Sequence, residues 1–287
     1  EIAGAVGAMR SKATMIVAPP NAIDTAGTGG DGIGTFNIST CAALVAAACG
    51  VPVAKHGNRA ISSKSGSADV LSTLGVNIEA SMEVIQECLW SIGIGFLMAP
   101  RHHGAMRHVG PSRIEIGTRT IFNLLGPLSN PAGAKRQLIG VFDSAWCVPL
   151  AEVLGKLGST HVWVVHGLDG MDELTITGPS RVAAFKDGAV STFEVAPEDA
   201  NLPRSRIEDL IGGDPQLNAQ EMLELLNGKT GPYRDIVVMN SAAALIVAGK
   251  ATSLSEGASM ATKAIESGKA KNTLNDLVEI TNRVPAA

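Results

Sequence analysis

The chain has 287 residues, 45% of them hydrophobic and 17% charged, and a net charge of −4. That length buries one large core, or one large and one small domain, and the charge excludes a general electrostatic attraction to nucleic acid or to an anionic membrane. With aromatic residues at 3% and 32 glycines, the composition favours tight helix-on-sheet packing and backbone-lined loops over an aromatic binding face.

In chain order, Ile2, Val6, Met9 and Ala13 fall at helical spacing, so the sequence is expected to open inside a helix. A helix is expected from about Ser39 to Cys49, stopped at Gly50, followed by a strand over Val51–Lys55. Helices are expected over Ser67–Leu74 and Ser81–Ile92, each followed by a glycine, and Phe96–Met98 reads as a short buried strand. The segment His102–Thr118 breaks the alternation; it is rich in His and Arg and reads as a polar helical lid or side wall. Gln137–Phe142 reads as a strand, Ala145–Leu157 as a helix and His161–His166 as a strand, while Arg181–Lys186 and Ala189–Val195 flank a hairpin turn at Asp187-Gly188. Asp235–Val247, Ser255–Ser267 and Asn272–Thr281 read as helices. Strands separated by helices predict an α/β fold with a mainly parallel central sheet, the hairpin adding an antiparallel excursion.

Two loops carry the first chemical signal. Gly27-Thr28-Gly29-Gly30-Asp31-Gly32-Ile33-Gly34 places five glycines in eight residues before a helix start. Such a loop lets backbone N–H groups converge on an anion, and the helix N-terminus adds partial positive charge. Asn37-Ile38-Ser39-Thr40 supplies cap-type side chains there. Gly27, Gly29 and Gly32 also fit a dinucleotide fingerprint, but no Asp or Glu lies between Gly32 and Ala68 to hold a ribose, and no Lys-Ser or Lys-Thr completes a Walker A loop. The same acid-free stretch holds Lys55, His56, Arg59 and Lys64 just beyond the expected strand end. Ligands of open α/β sheets bind at such ends, so a second anion-facing loop is expected.

Asp172-Glu173 follow the strand His161–His166 on a loop. In isolation, adjacent loop acids are common surface features; beside a phosphate loop, they read as oxygen ligands for magnesium. His102, His103 and His108 have no nearby cysteine or carboxylate, which argues against zinc. Arg113 has the planar fork that suits a carboxylate ligand, with a helix-surface ion pair as the alternative.

Asp24-Thr25-Ala26-Gly27-Thr28-Gly29-Gly30-Asp31, Asn37-Ile38-Ser39-Thr40, Lys55-His56-Gly57-Asn58-Arg59, His102-His103-Gly104-Ala105-Met106, Arg113, Arg119 to Leu128, and Asp172-Glu173-Leu174 together resemble the anthranilate phosphoribosyltransferase family in order and spacing across nearly the whole chain. The resemblance implies transfer of a phosphoribosyl group from phosphoribosyl pyrophosphate to the amine of anthranilate, with magnesium (Mg2+) as cofactor. It implies that Gly27, Thr28, Gly29, Gly30, Asp31, Thr35, Asn37, Ser39, Thr40, Lys55 and Ser67 bind the donor. It assigns anthranilate to Gly27, His56, Asn58, His103, Arg113, Gly126 and Pro127, and the metal to Ser39, Asp172 and Glu173, with no residue acting as an acid or base of the usual kind. Gly104 stands where many relatives carry proline, which bears on the shape of the acceptor entrance. A homodimer is implied, with residues 1–16 and 101–119 in a small helical domain, shortened at its start, and residues 17–100 and 120–287 in a large donor-binding domain.

Two other functions compete with this one. A pyrimidine nucleoside phosphorylase shares the implied fold but has a different phosphate loop. A nucleic-acid-binding relative needs a basic face, which a net charge of −4 does not supply. Cys41, Cys49, Cys88 and Cys147 have no C-x-x-C spacing and read as reduced thiols, no basic-then-apolar leader opens the sequence, and the longest apolar run, Cys41 to Cys49, is too short to span a bilayer. A cytoplasmic location without a membrane partner is the corresponding expectation.

Overall fold

A computed structural model describes residues 1–60, 63–109, 115, 118 and 120–283. Its elements are, in order, α1 (Ile2–Lys12), β1 (Ile23–Gly27), α2 (Ile38–Ala48), β2 (Val53–Gly57), α3 (Ser67–Thr73), α4 (Met82–Ser91), β3 (Ile94–Met98) and α5 (Ala99–His102). There follow α6 (Phe122–Leu128), β4 (Arg136–Gly140), α7 (Cys147–Lys156), β5 (His161–Gly167), β6 (Ser180–Lys186), β7 (Ala189–Val195), α8 (Pro215–Leu226), α9 (Pro232–Ala248), α10 (Leu254–Glu266) and α11 (Lys269–Thr281).

The strands form one sheet in the order β3-β2-β1-β4-β5-β6-β7. β1 to β5 pair in parallel, and β6 and β7 continue the sheet antiparallel. This is the mainly parallel α/β sheet with a hairpin excursion that the alternation predicts. The hairpin turn has positive φ at both Asp187 and Gly188, the backbone whose twist matches its flanking strands. The strand order reverses direction between β1 and β4, and a crevice opens at that switch point beyond the carboxyl ends of the strands.

Why these segments take these forms follows from burial. The parallel strands are buried on both faces; β3 and β5 are buried throughout, as expected where helices cover both sides. α2 is buried all round and built from small residues, which lets it lie close to the sheet and to α9. On the same side, a Cβ on Gly257 of α10 would meet the backbone of Ala242 in α9 at 2.8 Å, so these two helices touch nearly backbone to backbone. The opposite face of the sheet carries α6 and α7 over Ile139, Val162, Val164 and Ala183.

α1 joins that second core. Its Val6 is fully buried with Leu124, Leu125 and Leu128 of α6 and Cys147 and Leu150 of α7, and the Arg10 guanidinium donates to the Leu128 carbonyl through Nε at 3.0 Å and Nη2 at 2.6 Å. The apolar stripe of the opening helix therefore packs on two helices of the large part. Of the segment His102–Thr118, expected to be helical, the described residues include the end of α5, a 3-10 turn over Gly104–His108 and helical Glu115; four-residue α5 carries Pro100 in its first turn, and the 3-10 turn begins at Gly104. Arg113 and Arg119 lie outside the described residues. No described helix is long and apolar enough to cross a membrane.

Candidate active site

The glycine loop leaves β1 directly. Gly29, Gly30, Gly32 and Gly34 all have φ between +62° and +78°, a backbone that side chains disfavour. The loop is tied at both ends: Thr28 N–H donates to the Gly140 carbonyl at 2.9 Å, the Phe142 N–H donates to Thr28 Oγ1 at 3.1 Å, and Thr35 bridges to Ile211. Asn37 sits at the N-cap of α2, yet its side chain makes no capping bond. Its amide instead donates to the Ser65 carbonyl at 3.1 Å and accepts from Ser65 Oγ at 3.1 Å and Asn218 Nδ2 at 2.9 Å. Asn37 thus joins the start of α2 to the second loop, leaving the N-terminal amides of α2 to other partners.

One of those amides already has an anionic partner. Ser39 N–H donates to Glu173 Oε1 at 3.2 Å, and Gly29 N–H donates to Asp172 Oδ2 at 2.7 Å. The two acids therefore reach the glycine loop and the α2 start from the loop after β5. Two glycines make the approach possible. A Cβ on Gly27 would meet Asp172 Oδ2 at 2.6 Å, and one on Gly140 would overlap the Asp172 backbone. The acidic loop is also braced from behind: Asn240 Oδ1 accepts from Leu174 N–H at 3.0 Å, while its Nδ2 donates to the Leu174 carbonyl at 2.8 Å. Asp169 Oδ2 accepts from Thr175 and Thr177 hydroxyls at 2.6 and 2.7 Å.

Burial, then the adjacent Asp31 carboxylate, pushes Asp172 up to about 7, and burial with Asp172 pushes Glu173 up to about 8. Among the described residues no group of three or more His, Cys, Asp or Glu side chains is placed to hold an ion unaided. Magnesium ordinarily keeps waters and substrate phosphates beside one or two carboxylates, and a crowded carboxylate set short of counter-charge fits that arrangement.

The second loop leaves β2. Lys55 is 3% exposed, and its Nζ donates to the Thr25 carbonyl at 2.6 Å. Burial lowers its pKa, opposed first by Asp24 and then by Glu173. Asp69 organises the loop beyond: its carboxylate accepts from Ala60 N–H at 2.8 Å, Gly66 N–H at 2.9 Å and Arg59 Nη1 at 3.0 Å, and these bonds hold its pKa below the usual range despite partial burial. Ser67 Oγ donates to the Asn58 carbonyl at 3.2 Å, and Asn58 Oδ1 accepts from Arg59 N–H at 2.8 Å. Thr40 is buried in the first turn of α2.

On the other side of the same strand end, His56 and His103 pack edge to face with ring centroids 5.1 Å apart. Burial, then His103, drives His56 down to about 3, so it is neutral at pH 7. The Gly126 backbone faces it, and Pro127 is buried in α6 with its carbonyl accepting from Gln137 Nε2 at 2.9 Å. His102 is turned away: its Nδ1 sits 2.7 Å from the Thr14 carbonyl, tying α5 to the segment after α1.

The structure therefore gathers two groups at the switch point. The Gly27–Gly34 loop, Lys55, Asp172 and Glu173 form one; His56, His103, Gly126 and Pro127 form the other, with Asn58 on the loop that leaves β2 and Ser67 at the start of α3. Asp24, Asp69, Asn130, Asn218 and Asn240 were not singled out for roles. Asp24 and Asp69 had visible signals, the one opening the string Asp24 to Asp31 and the other being the first acid after the acid-free stretch; Asn130, Asn218 and Asn240 make contacts across large sequence separations and had none.

A parallel sheet with a phosphate-type loop, buried lysine and paired acids at its switch point defines a group-transfer enzyme acting on a polyanionic substrate. Residues 19–271 match the model of the glycosyl transferase family, a/b domain. The chain is 61% identical over 283 residues to an anthranilate phosphoribosyltransferase of Paramagnetospirillum magneticum, covering 99% of this chain and 82% of that relative. It is 60% identical over 280 residues to one from Rhodospirillum rubrum, covering 98% and 81%. Among solved structures, an anthranilate phosphoribosyltransferase from Thermus thermophilus superposes with a TM-score of 0.94 at 46% identity, covering 98% of this chain and 84% of that one. One from Saccharomyces cerevisiae in complex with PRPP and Mg superposes at 0.91 with 29% identity, covering 99% and 80%. The chain belongs to the glycosyl transferase family and, within it, to the anthranilate phosphoribosyltransferases.

Proposed function

We propose that the chain transfers the phosphoribosyl group of phosphoribosyl pyrophosphate to the amine of anthranilate, releasing pyrophosphate, as a step of tryptophan biosynthesis. The observation that carries the reading is the convergence of Asp172 and Glu173 on the amides of Gly29 and Ser39 beside buried Lys55. Family membership at 61% identity supports the substrate pair.

In this reading Gly27, Thr28, Gly29, Gly30, Asp31, Thr35, Asn37, Ser39, Thr40, Lys55 and Ser67 take the donor. Loop amides and the Lys55 ammonium receive the charge that builds on the leaving pyrophosphate. Ser39, Asp172 and Glu173 would hold magnesium, which would supply counter-charge to the leaving group. Gly27, His56, Asn58, His103, Arg113, Gly126 and Pro127 take anthranilate. An aromatic amine is unprotonated at pH 7 and attacks as the bond from the anomeric carbon to pyrophosphate breaks; the proton that its nitrogen then sheds goes to the departing pyrophosphate or to water, since a His56 held near 3 does not take it. Rate comes from alignment of the two substrates and from the fixed dipoles around the leaving group.

The same reading includes a homodimer in the cytoplasm and a helical unit of residues 1–16 and 101–119 beside the donor-binding remainder. Anthranilate fluorescence followed with phosphoribosyl pyrophosphate and magnesium tests the function. Loss that depends on both additions is expected; fluorescence unchanged in their presence, with release of a free base from a nucleoside and phosphate, overturns it.

A further inference from the structure

The proposed chemistry uses Asn37 but leaves unexplained what keeps its side chain off the helix that it precedes. An asparagine in that place ordinarily caps the first turn, accepting from an amide two or three residues on. Asn37 does not. Its φ of −77° and ψ of 68° are those of an inverse γ-turn, closed by the Ile38 N–H donating to the Phe36 carbonyl at 2.8 Å. Its side chain turns instead to Ser65 and Asn218.

Asn218 lies one turn into α8, 181 residues away in sequence, and is 1% exposed. A buried amide is costly unless both its ends are bonded, and here both are. Oδ1 accepts from Gly213 N–H at 2.8 Å, and Nδ2 donates to Asn37 Oδ1 at 2.9 Å. The segment leading into α8 also runs along the exit of the glycine loop: Gly212 N–H donates to the Gly34 carbonyl at 2.9 Å, and Phe36 N–H donates to the Leu210 carbonyl at 3.1 Å. A Cβ on Gly212 would meet Asn218 Oδ1 at 2.8 Å and the Thr35 carbonyl at 2.9 Å, so a glycine is what lets Asn218 come this close. α8 packs on α3, the helix that follows the second loop. Asn37 Oδ1 is thus the point where the glycine loop, the second loop and α8 meet.

We infer that Asn218 is a positioning residue for donor binding that acts through Asn37. It holds the Asn37 amide away from the first turn of α2 and so keeps the N-terminal amides of that helix open to the donor's phosphates. Released, Asn37 turns back to the ordinary capping position, where its own Oδ1 takes the amide of Ser39 or Thr40 in place of the anion. The same bond keeps Asn37 Nδ2 on the Ser65 carbonyl at 3.1 Å, so the second loop stays in register with the first.

The inference rests on the assignment of Asn37 to the donor. A wild-type chain that consumes no phosphoribosyl pyrophosphate fails the functional reading and the inference together. Asn37→Ala with unchanged donor KM removes only that assignment, and the inference with it. In Asn218→Ala, the KM for phosphoribosyl pyrophosphate is expected to rise about tenfold, the size of one lost buried hydrogen bond, while the KM for anthranilate does not. A residue that merely supports the fold lowers melting temperature and, through the folded fraction, kcat, but leaves the donor KM alone. In Asn37→Ala the donor KM also rises, and adding Asn218→Ala raises it no further, because the second change acts only through the first. An unchanged donor KM in Asn218→Ala, equal rises for both substrates, or a further rise in the double variant overturns the inference. Should Asn218→Ala fail to fold, Asn218→Asp decides it. The carboxylate keeps the outline and the Gly213 bond but has no N–H for Asn37, so the donor KM is expected to rise, and a wild-type value overturns the inference.

Discussion

At the scale of single residues, the crowding of acid groups is the property with the most direct consequence. Asp172 and Glu173 are raised by burial and by neighbouring carboxylates, so a nearby cation would favour their charged forms. Asp172→Asn with Glu173→Gln keeps the shapes and removes the charges. If each charge-assisted contact contributes about 1.5–3 kcal/mol, turnover at ordinary magnesium falls at least about a hundredfold. The fall is measured by the anthranilate assay across a magnesium titration, and near wild-type turnover removes the pair from the site. These residues were legible in the sequence because they are adjacent and follow a strand. Asn240 was not: it lies within the expected helix Asp235–Val247, and nothing in that helical pattern announces that its amide holds the Leu174 backbone from 66 residues away.

At the scale of elements, the acidic loop is shaped by what the strands beneath it lack. Gly140 ends β4, and any side chain there collides with the backbone of Asp172. Gly140→Ala must push the loop outward, an overpacking that costs about 1–3 kcal/mol and displaces both carboxylates from the Gly29 and Ser39 amides. Melting temperature and magnesium affinity are expected to fall together; a loss of stability with unaltered magnesium affinity would show that the loop relocates without disturbing the acids. Elements marked by ordinary signals were readable: α2, α4 and α7 each end within two residues of a positive-φ glycine, at Gly50, Gly93 and Gly158. Others carried contrary signals. β1 is five residues long and holds a buried aspartate and threonine, which hides its strand character. α6 contains Gly126-Pro127, a pair that ordinarily marks a turn. α8 was not singled out although Asp214 caps it, accepting from Leu217 N–H at 2.8 Å, with Pro215 at its first position.

At the scale of the whole molecule, the buried acids and imidazoles set opposing pH dependences. Asp172 rises from 3.8 to about 7 and Glu173 from 4.5 to about 8, so between those limits the folded chain holds more protons than the unfolded one. Their contribution is full below the unfolded values and is lost as pH rises through the folded ones. His56, lowered from 6.5 to about 3, acts in the opposite sense, its contribution being lost as pH falls below the unfolded value. From pH 6.5 to 8.5 the raised Asp172 and Glu173 carboxylates make the stability of the ligand-free protein fall as pH rises, while Lys55, lowered by burial, opposes them; a net fall in melting temperature is expected. Magnesium with phosphoribosyl pyrophosphate should flatten the slope, as should the Asp172→Asn, Glu173→Gln variant. Scanning calorimetry at half-unit pH steps measures it, and a melting temperature that rises over this range contradicts the charge assignment.

The parallel pairing of β1 with β4 has a kinetic meaning. Thr28 and Phe142, bonded across that pairing, are 114 residues apart in sequence, and β4 enters the sheet only after β2, β3 and the segments between have been made. Contacts that close such long loops form late, because the chain loses entropy before it gains them. The glycine loop and the acids meet across this seam, so the binding crevice exists only once it is shut. In refolding from denaturant, local helix signals should recover first, while protection of β1 and β4 amides and capacity for the phosphoribosyl donor should return together in the slowest phase. Added donor and magnesium should then slow unfolding without hastening refolding, since they recognise nothing that precedes the closed seam.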